Sequence, residues 1–132
     1  MNDFPLDGMR VLVLEDEFLI ALDVEQLCRE HGAADVTIVN NLDVLGSDPF
    51  AGEPFHAAVL DVMLAGRRTT GFASQLGERG VPFVFATGYS DSEDMFEGFE
   101  GVPVVGKPYS GRDLLDALAG AIGRVRQRSG GV

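Results

Sequence analysis

The sequence has no tryptophan, two tyrosines and a single cysteine, Cys28. One thiol excludes an internal disulfide and leaves no cysteine cluster for a structural zinc site. Positive charge is scarce: ten lysines and arginines face twenty-one aspartates and glutamates, a formal net charge of −11. A nucleic-acid surface needs clustered cations, and the only cluster is Arg124, Arg126 and Arg128, where cations suit the end of a helix. No nucleic-acid partner is therefore expected, and any effect on genes would run through another protein. No apolar run reaches the roughly 20 residues that span a bilayer, and the opening MNDFPLDGMR lacks the basic-then-apolar order of a secretory leader. The expectation is a cytoplasmic protein with no membrane partner.

What is present is a chain of 132 residues, 45 % hydrophobic and too apolar for disorder. That length matches one domain around one core, here about 10–126 with short tails on either side. Short apolar, β-prone runs occur at 10–14, 35–39, 56–60, 81–86 and 102–105. They are continuously apolar (VLVL, VTIV, AAVL, PFVFA, VPVV) rather than alternating, the pattern of strands covered on both faces. Segments long enough for helices separate them, which predicts βα units around a parallel sheet.

The first helix follows residue 17, with Ile20, Val24 and Leu27 at helical spacing and Gly32 as its terminator. Cys28 reads as a small buried hydrophobe on it, and His31 as a residue suited to its C-terminal dipole. A second short helix is expected over 41–50, capped by Asn40 or Asn41 and ended near Pro49. A third, over 70–79, places Phe72 and Leu76 on one side. The last begins at Ser110 or Gly111 with the stripe Leu114, Leu118, Ile122 and Val125, and leaves 129–132 as a frayed tail. Between the fourth and fifth strands, GYSDSEDMFEGFEG is rich in glycine and acids and has no helical stripe. One turn of helix or an irregular loop is expected there.

Ligands of an open parallel α/β sheet bind beyond the carboxyl ends of the strands. Glu15 and Asp16 follow the first strand, Asp61 the third, Thr87 and Gly88 the fourth, and Lys107 the fifth. Carboxylates in one pocket repel: two unit charges about 5 Å apart, at an effective dielectric near 20, cost roughly 3 kcal/mol. A divalent cation together with Lys107 neutralises three of them, and Mg²⁺, with Mn²⁺ as substitute, suits an all-oxygen donor set. One carboxylate can then act as a nucleophile toward a phosphoryl group. The metal, Thr87, Lys107 and the Gly88 N–H would hold that group's oxygens.

The set LEDE, VLDVMLAG, FATGY and GKPY, in this order and spacing, resembles the receiver domain of bacterial two-component response regulators. The resemblance covers the chain from Arg10 to about Arg126. It implies a flavodoxin-like, doubly wound five-stranded parallel sheet of order 2-1-3-4-5 and phosphorylation of Asp61 by a sensor histidine kinase. It implies Glu15 and Asp16 as the metal-binding acidic pair, with a backbone carbonyl supplied by Met63, and phosphoryl contacts from the backbone of Val62 and Met63. Lys107–Pro108 matches a bond that is cis in the family. VPFVFATGYS resembles the FAT-GUY subgroup, mostly single-domain receivers with an altered or degenerate fourth helix.

Two positions depart from the family pattern. Glu15 stands where Asp is common, which keeps the charge and lengthens the reach. Val104 stands where many receivers carry the Tyr or Phe of their switch, so Thr87 with Tyr89 or Tyr109 become the switch candidates. The expected function is a non-enzymatic switch that takes a phosphoryl group on Asp61 and contacts a downstream protein. A phosphate sink or relay, and a pseudo-receiver that binds without phosphorylation, are the alternatives. An Asp-nucleophile phosphatase of the haloacid dehalogenase kind fits poorly, because Asp61 is followed by Val62 and Met63 rather than an Asp-x-Asp pair.

Overall fold

In the computed structural model of the chain, residues 4–88 and 93–130 are described, with the side chains of residues 93 and 127–130 outside that description. Strands β1 (Arg10–Leu14), β2 (Asp35–Val39), β3 (Ala57–Asp61), β6 (Phe83–Thr87) and β7 (Val104–Gly106) form one parallel sheet of order β2-β1-β3-β6-β7. With two short strands, β4 (Met63–Leu64) and β5 (Arg67–Arg68), set aside as a separate hairpin, this is the flavodoxin-like order 2-1-3-4-5. Helices α1 (Phe18–Glu30), α2 (Thr70–Glu78) and α3 (Gly111–Gly130) flank the sheet. No described helix is long and apolar enough to cross a membrane.

Alternation along the strands divides the core in two. Val11, Val13, Val59, Val84 and Ala86 face Val24 and Cys28 of α1 and Leu114, Leu118 and Ile122 of α3. Leu12, Leu14, Ala58, Leu60, Phe83 and Phe85 face Phe72, Ala73 and Leu76 of α2. The second face has one helix where the first has two. Its remaining cover comes from loops: Phe50 stacks on Phe72 at 5.5 Å, while Phe96 and Phe99 pack their rings against Phe85 at 5.4 and 5.2 Å. Among the described residues, the segment between β6 and β7 thus holds one 3₁₀ turn, Glu93–Phe96, and its aromatic rings do the work of a fourth helix.

Three sequence expectations need correction. The helix expected over 41–50 is a single 3₁₀ turn, Leu42–Leu45. Asn41 does cap it, its Oδ1 accepting from the Asp43 N–H at 2.9 Å, but Gly46 turns into the left-handed region (φ +71°) and ends it. The last three strands lie one or two residues later than their apolar runs, and for β6 and β7 the reason is that Pro82 and Pro103 precede them and donate no N–H. Each proline still offers a carbonyl, to Ala58 N and Phe85 N, both at 3.0 Å. Finally, α3 continues to Gly130, through positions expected to fray. Its start is as expected, with the Asp113 N–H donating to Ser110 Oγ at 3.0 Å.

Candidate functional site

Strand register brings the sequence motifs to one edge. Leu14 pairs with Val39 and Leu60, Asp61 with Ala86, and Thr87 with Gly106, so the residues that follow these strands emerge side by side. Lys107 comes next after β7, held by its N–H on the Thr87 carbonyl at 2.9 Å, and the Lys107–Pro108 bond is cis. Glu15 and Asp61 are each 3 % exposed, an unusual depth for two carboxyls. Lys107 Nζ lies 2.9 Å from both oxygens of Asp61 and 2.9 Å from Glu15 Oε1.

The second Glu15 oxygen accepts the N–H of Glu17 at 3.0 Å. This fixes the backbone at the exposed N-cap of α1, where Glu17 forms no side-chain cap bond of its own. Oε1 is different. Its contact with Lys107 is an ion pair without hydrogen-bond geometry, and among the described residues it is the one buried side-chain polar atom lacking a hydrogen bond. Asp16 is exposed and accepts the Ala65 N–H on Oδ2 at 3.3 Å. One oxygen from each of Glu15, Asp16 and Asp61 lies within 4.8 Å of the others. A buried carboxylate oxygen with an unused lone pair, beside two more carboxylates, fits a hard cation, and these three residues can hold one.

Electrostatics leads to the same place. Burial pushes the Asp61 pKa up, the adjoining Glu15 carboxyl adds to the rise, and Lys107 offsets part of it, leaving Asp61 at about 8. On Glu15, burial also acts upward, but contacts with Asp61, Lys107 and the Glu17 N–H outweigh it and the net direction is down. The two carboxyls titrate as a pair, one of them held protonated near neutrality. Lys107 is pushed the opposite way from what its burial alone would do, upward, by the carboxyls it touches. A divalent cation bound here would have to displace that proton. Its apparent affinity should therefore rise by up to about tenfold per pH unit below a pH of about 8 and level off above. Calorimetric titration in two buffers of different ionisation enthalpy should show about one proton released per metal bound on the acid side.

The remaining candidates divide. Thr87 closes β6, with Oγ1 donating to the Gly88 carbonyl at 3.3 Å. Met63 opens β4, whose hairpin with β5 pairs Met63 with Arg68 and Leu64 with Arg67 across a turn at Ala65 (φ +49°) and Gly66 (φ +81°). The hairpin is tied down by Arg67, 2.8 Å from Asp43. Tyr109 packs against the α1–α3 core, and burial and then the Glu15 and Asp61 charges push its hydroxyl up to about 12. Tyr89 lies outside the described residues. Val62, expected to offer its backbone to the phosphoryl oxygens, is a correction: its N–H donates to Ala86 O at 3.0 Å and its carbonyl accepts from Thr69 N at 2.9 Å. Both groups are spent inside the fold.

Neither of the other reactive side chains joins the site. Cys28 is buried in the core, where burial pushes its thiol up to about 11. His31 Nδ1 lies 3.0 Å from the Leu27 carbonyl, so it donates to the end of its own helix. Sequence reasoning missed Thr69. It precedes the Phe72–Leu76 stripe as a cap-type residue, yet its hydroxyl goes instead to the Asp61 carbonyl at 2.6 Å.

This is the fold of solved response regulator receiver domains, and the chain belongs to the same family as the protein SdrG. It is similar to SdrG from Sphingomonas melonis Fr1, with 32 % identity over 87 % of this chain and 97 % of that one, at a TM-score of 0.71. A response regulator receiver protein from Sinorhizobium medicae WSM419 shares the fold at 18 % identity, covering 91 % and 98 % of the two chains with a TM-score of 0.74. The response regulator PhyR from Brucella abortus matches at 23 % identity and a TM-score of 0.69, over 96 % of this chain but 53 % of its own. No family model matches the chain, and no curated protein matches it.

Proposed function

We propose that the chain is a phosphorylatable receiver. Asp61 accepts a phosphoryl group from a sensor histidine kinase in a Mg²⁺-dependent reaction, and the phosphorylated protein acts by contacting a downstream protein. One observation carries this reading: Lys107 Nζ spans both Asp61 oxygens and Glu15 at 2.9 Å, with Asp16 completing a cluster of three carboxylates. An ion pair placed only for stability would not need two buried carboxyls on one ammonium with a third acid beside them.

In the proposed transfer, one Asp61 oxygen forms a bond to phosphorus as the bond from phosphorus to the donor imidazole nitrogen breaks, its electron pair leaving with the nitrogen. Glu15, Asp16 and Asp61 would hold the Mg²⁺, with the Met63 carbonyl as a further donor. The metal supplies positive charge for the phosphoryl oxygens and lets Asp61 stay ionised beside its neighbours. Lys107 and the Thr87 hydroxyl take the remaining oxygens, with the Gly88 and Met63 backbones alongside. Thr87 and Tyr109 are the described residues proposed to relay the change, since Val104 supplies no ring. The finer placement in the FAT-GUY subgroup belongs to the same proposal, supported by FATGY and by the 3₁₀ turn that stands for a fourth helix. In this reading the protein is a switch modified on its own Asp61 and not an enzyme that turns over a substrate.

Acetyl phosphate and Mg²⁺ provide the test. Intact-mass measurement should find one added phosphoryl group, lost without the metal and lost in Asp61→Asn. A wild-type chain that takes up none is a pseudo-receiver, and the proposal fails.

A further inference from the structure

We propose that Thr69 is a positioning residue for phosphoryl transfer, its hydroxyl holding the peptide group that joins Asp61 to Val62. The inference deepens the receiver reading and rests on it. Thr69 is 0 % exposed and sits immediately before α2. A threonine there ordinarily turns its oxygen onto the N–H groups of the first helical turn. This one makes no such bond. Its Oγ1 donates to the Asp61 carbonyl at 2.6 Å and lies 3.4 Å from the Val62 carbonyl, while its own N–H donates to the Val62 carbonyl at 2.9 Å.

Two successive peptide planes are thereby set by one residue. The plane joining Asp61 to Val62 is gripped at both ends, by Thr69 on the carbonyl and by Ala86 O on the Val62 N–H. The plane joining Val62 to Met63 is gripped at its carbonyl by the Thr69 N–H. A trans peptide points its N–H opposite to its C=O, so this also sets where the Met63 N–H points. The backbone at the nucleophile and the residue two positions on are thus aligned before any ligand arrives. Transfer between oxygen and phosphorus is sensitive to such alignment: a misplacement of ~1 Å can cost about a hundredfold. The rest of Thr69 has an ordinary structural task, its carbonyl accepting the Ala73 N–H at 2.9 Å to start α2. That bond uses no hydroxyl, which lets the two roles be separated.

Thr69→Ser and Thr69→Ala both lose the methyl and differ only in the hydroxyl. The full chain should be phosphorylated with acetyl phosphate at saturating Mg²⁺, well below the melting temperature of each variant. Thr69→Ser is expected within about twofold of wild type. Thr69→Ala is expected about tenfold lower in maximal rate, with half-saturating acetyl phosphate little changed. In metal-free amide NMR spectra, the Val62 signal should move in Thr69→Ala and stay in Thr69→Ser. Equal maximal rates in the two variants overturn the proposal, even if Thr69→Ala melts earlier, because the residue then serves only the helix. If Thr69→Ala does not fold, Thr69→Val, which keeps the volume, replaces it under the same criteria. A wild-type chain that takes no phosphoryl group is seen before any variant is compared, and it overturns the receiver reading itself.

Discussion

Lys107→Ala is expected to slow phosphorylation of Asp61 by about 10²–10³-fold, the usual consequence of removing one preorganised charge from a site of developing negative charge. The ammonium touches both oxygens of Asp61 and one of Glu15, and it is the only described cation within 4.0 Å of either carboxyl. Its loss should also change how stability varies with pH. Asp61 is held at about 8, well above its ordinary 3.8. Between those values the folded state keeps a proton that the unfolded chain has released, so stability falls as pH rises through the window. Lys107 acts in the opposite sense: its raised pKa contributes stability that is complete below its ordinary 10.5 and is lost only as pH rises past its folded value. Without it, Asp61 rises further and the window extends upward. Melting temperatures of metal-free Lys107→Ala should therefore keep falling above a pH of about 8, where those of wild type level off, and added Mg²⁺ should restore much of the difference. Parallel pH slopes would show that the ammonium is not what balances the pair.

Phe85→Ala is expected to cost about 3–5 kcal/mol, the range for deleting a buried phenylalanine. That is a large share of the 5–15 kcal/mol that holds a typical domain together. Phe85 is fully buried and meets three rings, those of Phe83, Phe96 and Phe99, at 5.2–5.5 Å. On this face no α-helix among the described residues between β6 and β7 closes the gap, so the cavity would have few neighbours able to relax into it. Urea unfolding should show the midpoint falling with its slope kept, and the melting temperature falling by on the order of 15 °C. The substitution also lies two residues before Thr87, on the same strand. A loss well under 1 kcal/mol would mean that the aromatic cluster is not what anchors residues 96–99 to the sheet.

Much of this was legible in the residues. β1 and β2 match their apolar runs end for end, because each is a five-residue run flanked by polar or glycine-rich sequence. The acids and Lys107 were legible as a site because each directly follows an apolar run, and a parallel sheet sends all such residues to one edge. The errors have physical causes. Leu42–Leu45 has enough apolar residues to imitate a helix, but Gly46 takes a left-handed conformation that stops it after a turn. The hairpin at 63–68 turns on Ala65, a residue that rarely adopts positive φ, so nothing in MLAGRR announced it. Thr69 was hidden for another reason: its partners are main-chain carbonyls, which leave no mark on the side-chain pattern. Val62 was misassigned on the same ground, since sheet bonding of its N–H cannot be read from a valine.

The ties around the hairpin have a mechanical consequence. Asp16 joins the loop after β1 to Ala65, Asp43 joins the loop after β2 to Arg67, and Thr69 joins α2 to the end of β3. Three loops are thereby lashed into one rim, and the pocket has a stiff wall on that side. On the opposite side, β6 and β7 carry α3 on one face, but on the other the described cover is edge-on and tilted phenylalanine rings. Charge added at Asp61 would push against an abutment that does not yield, and the displacement it produces would be delivered to the softer side, toward Phe85 and the turn beyond it.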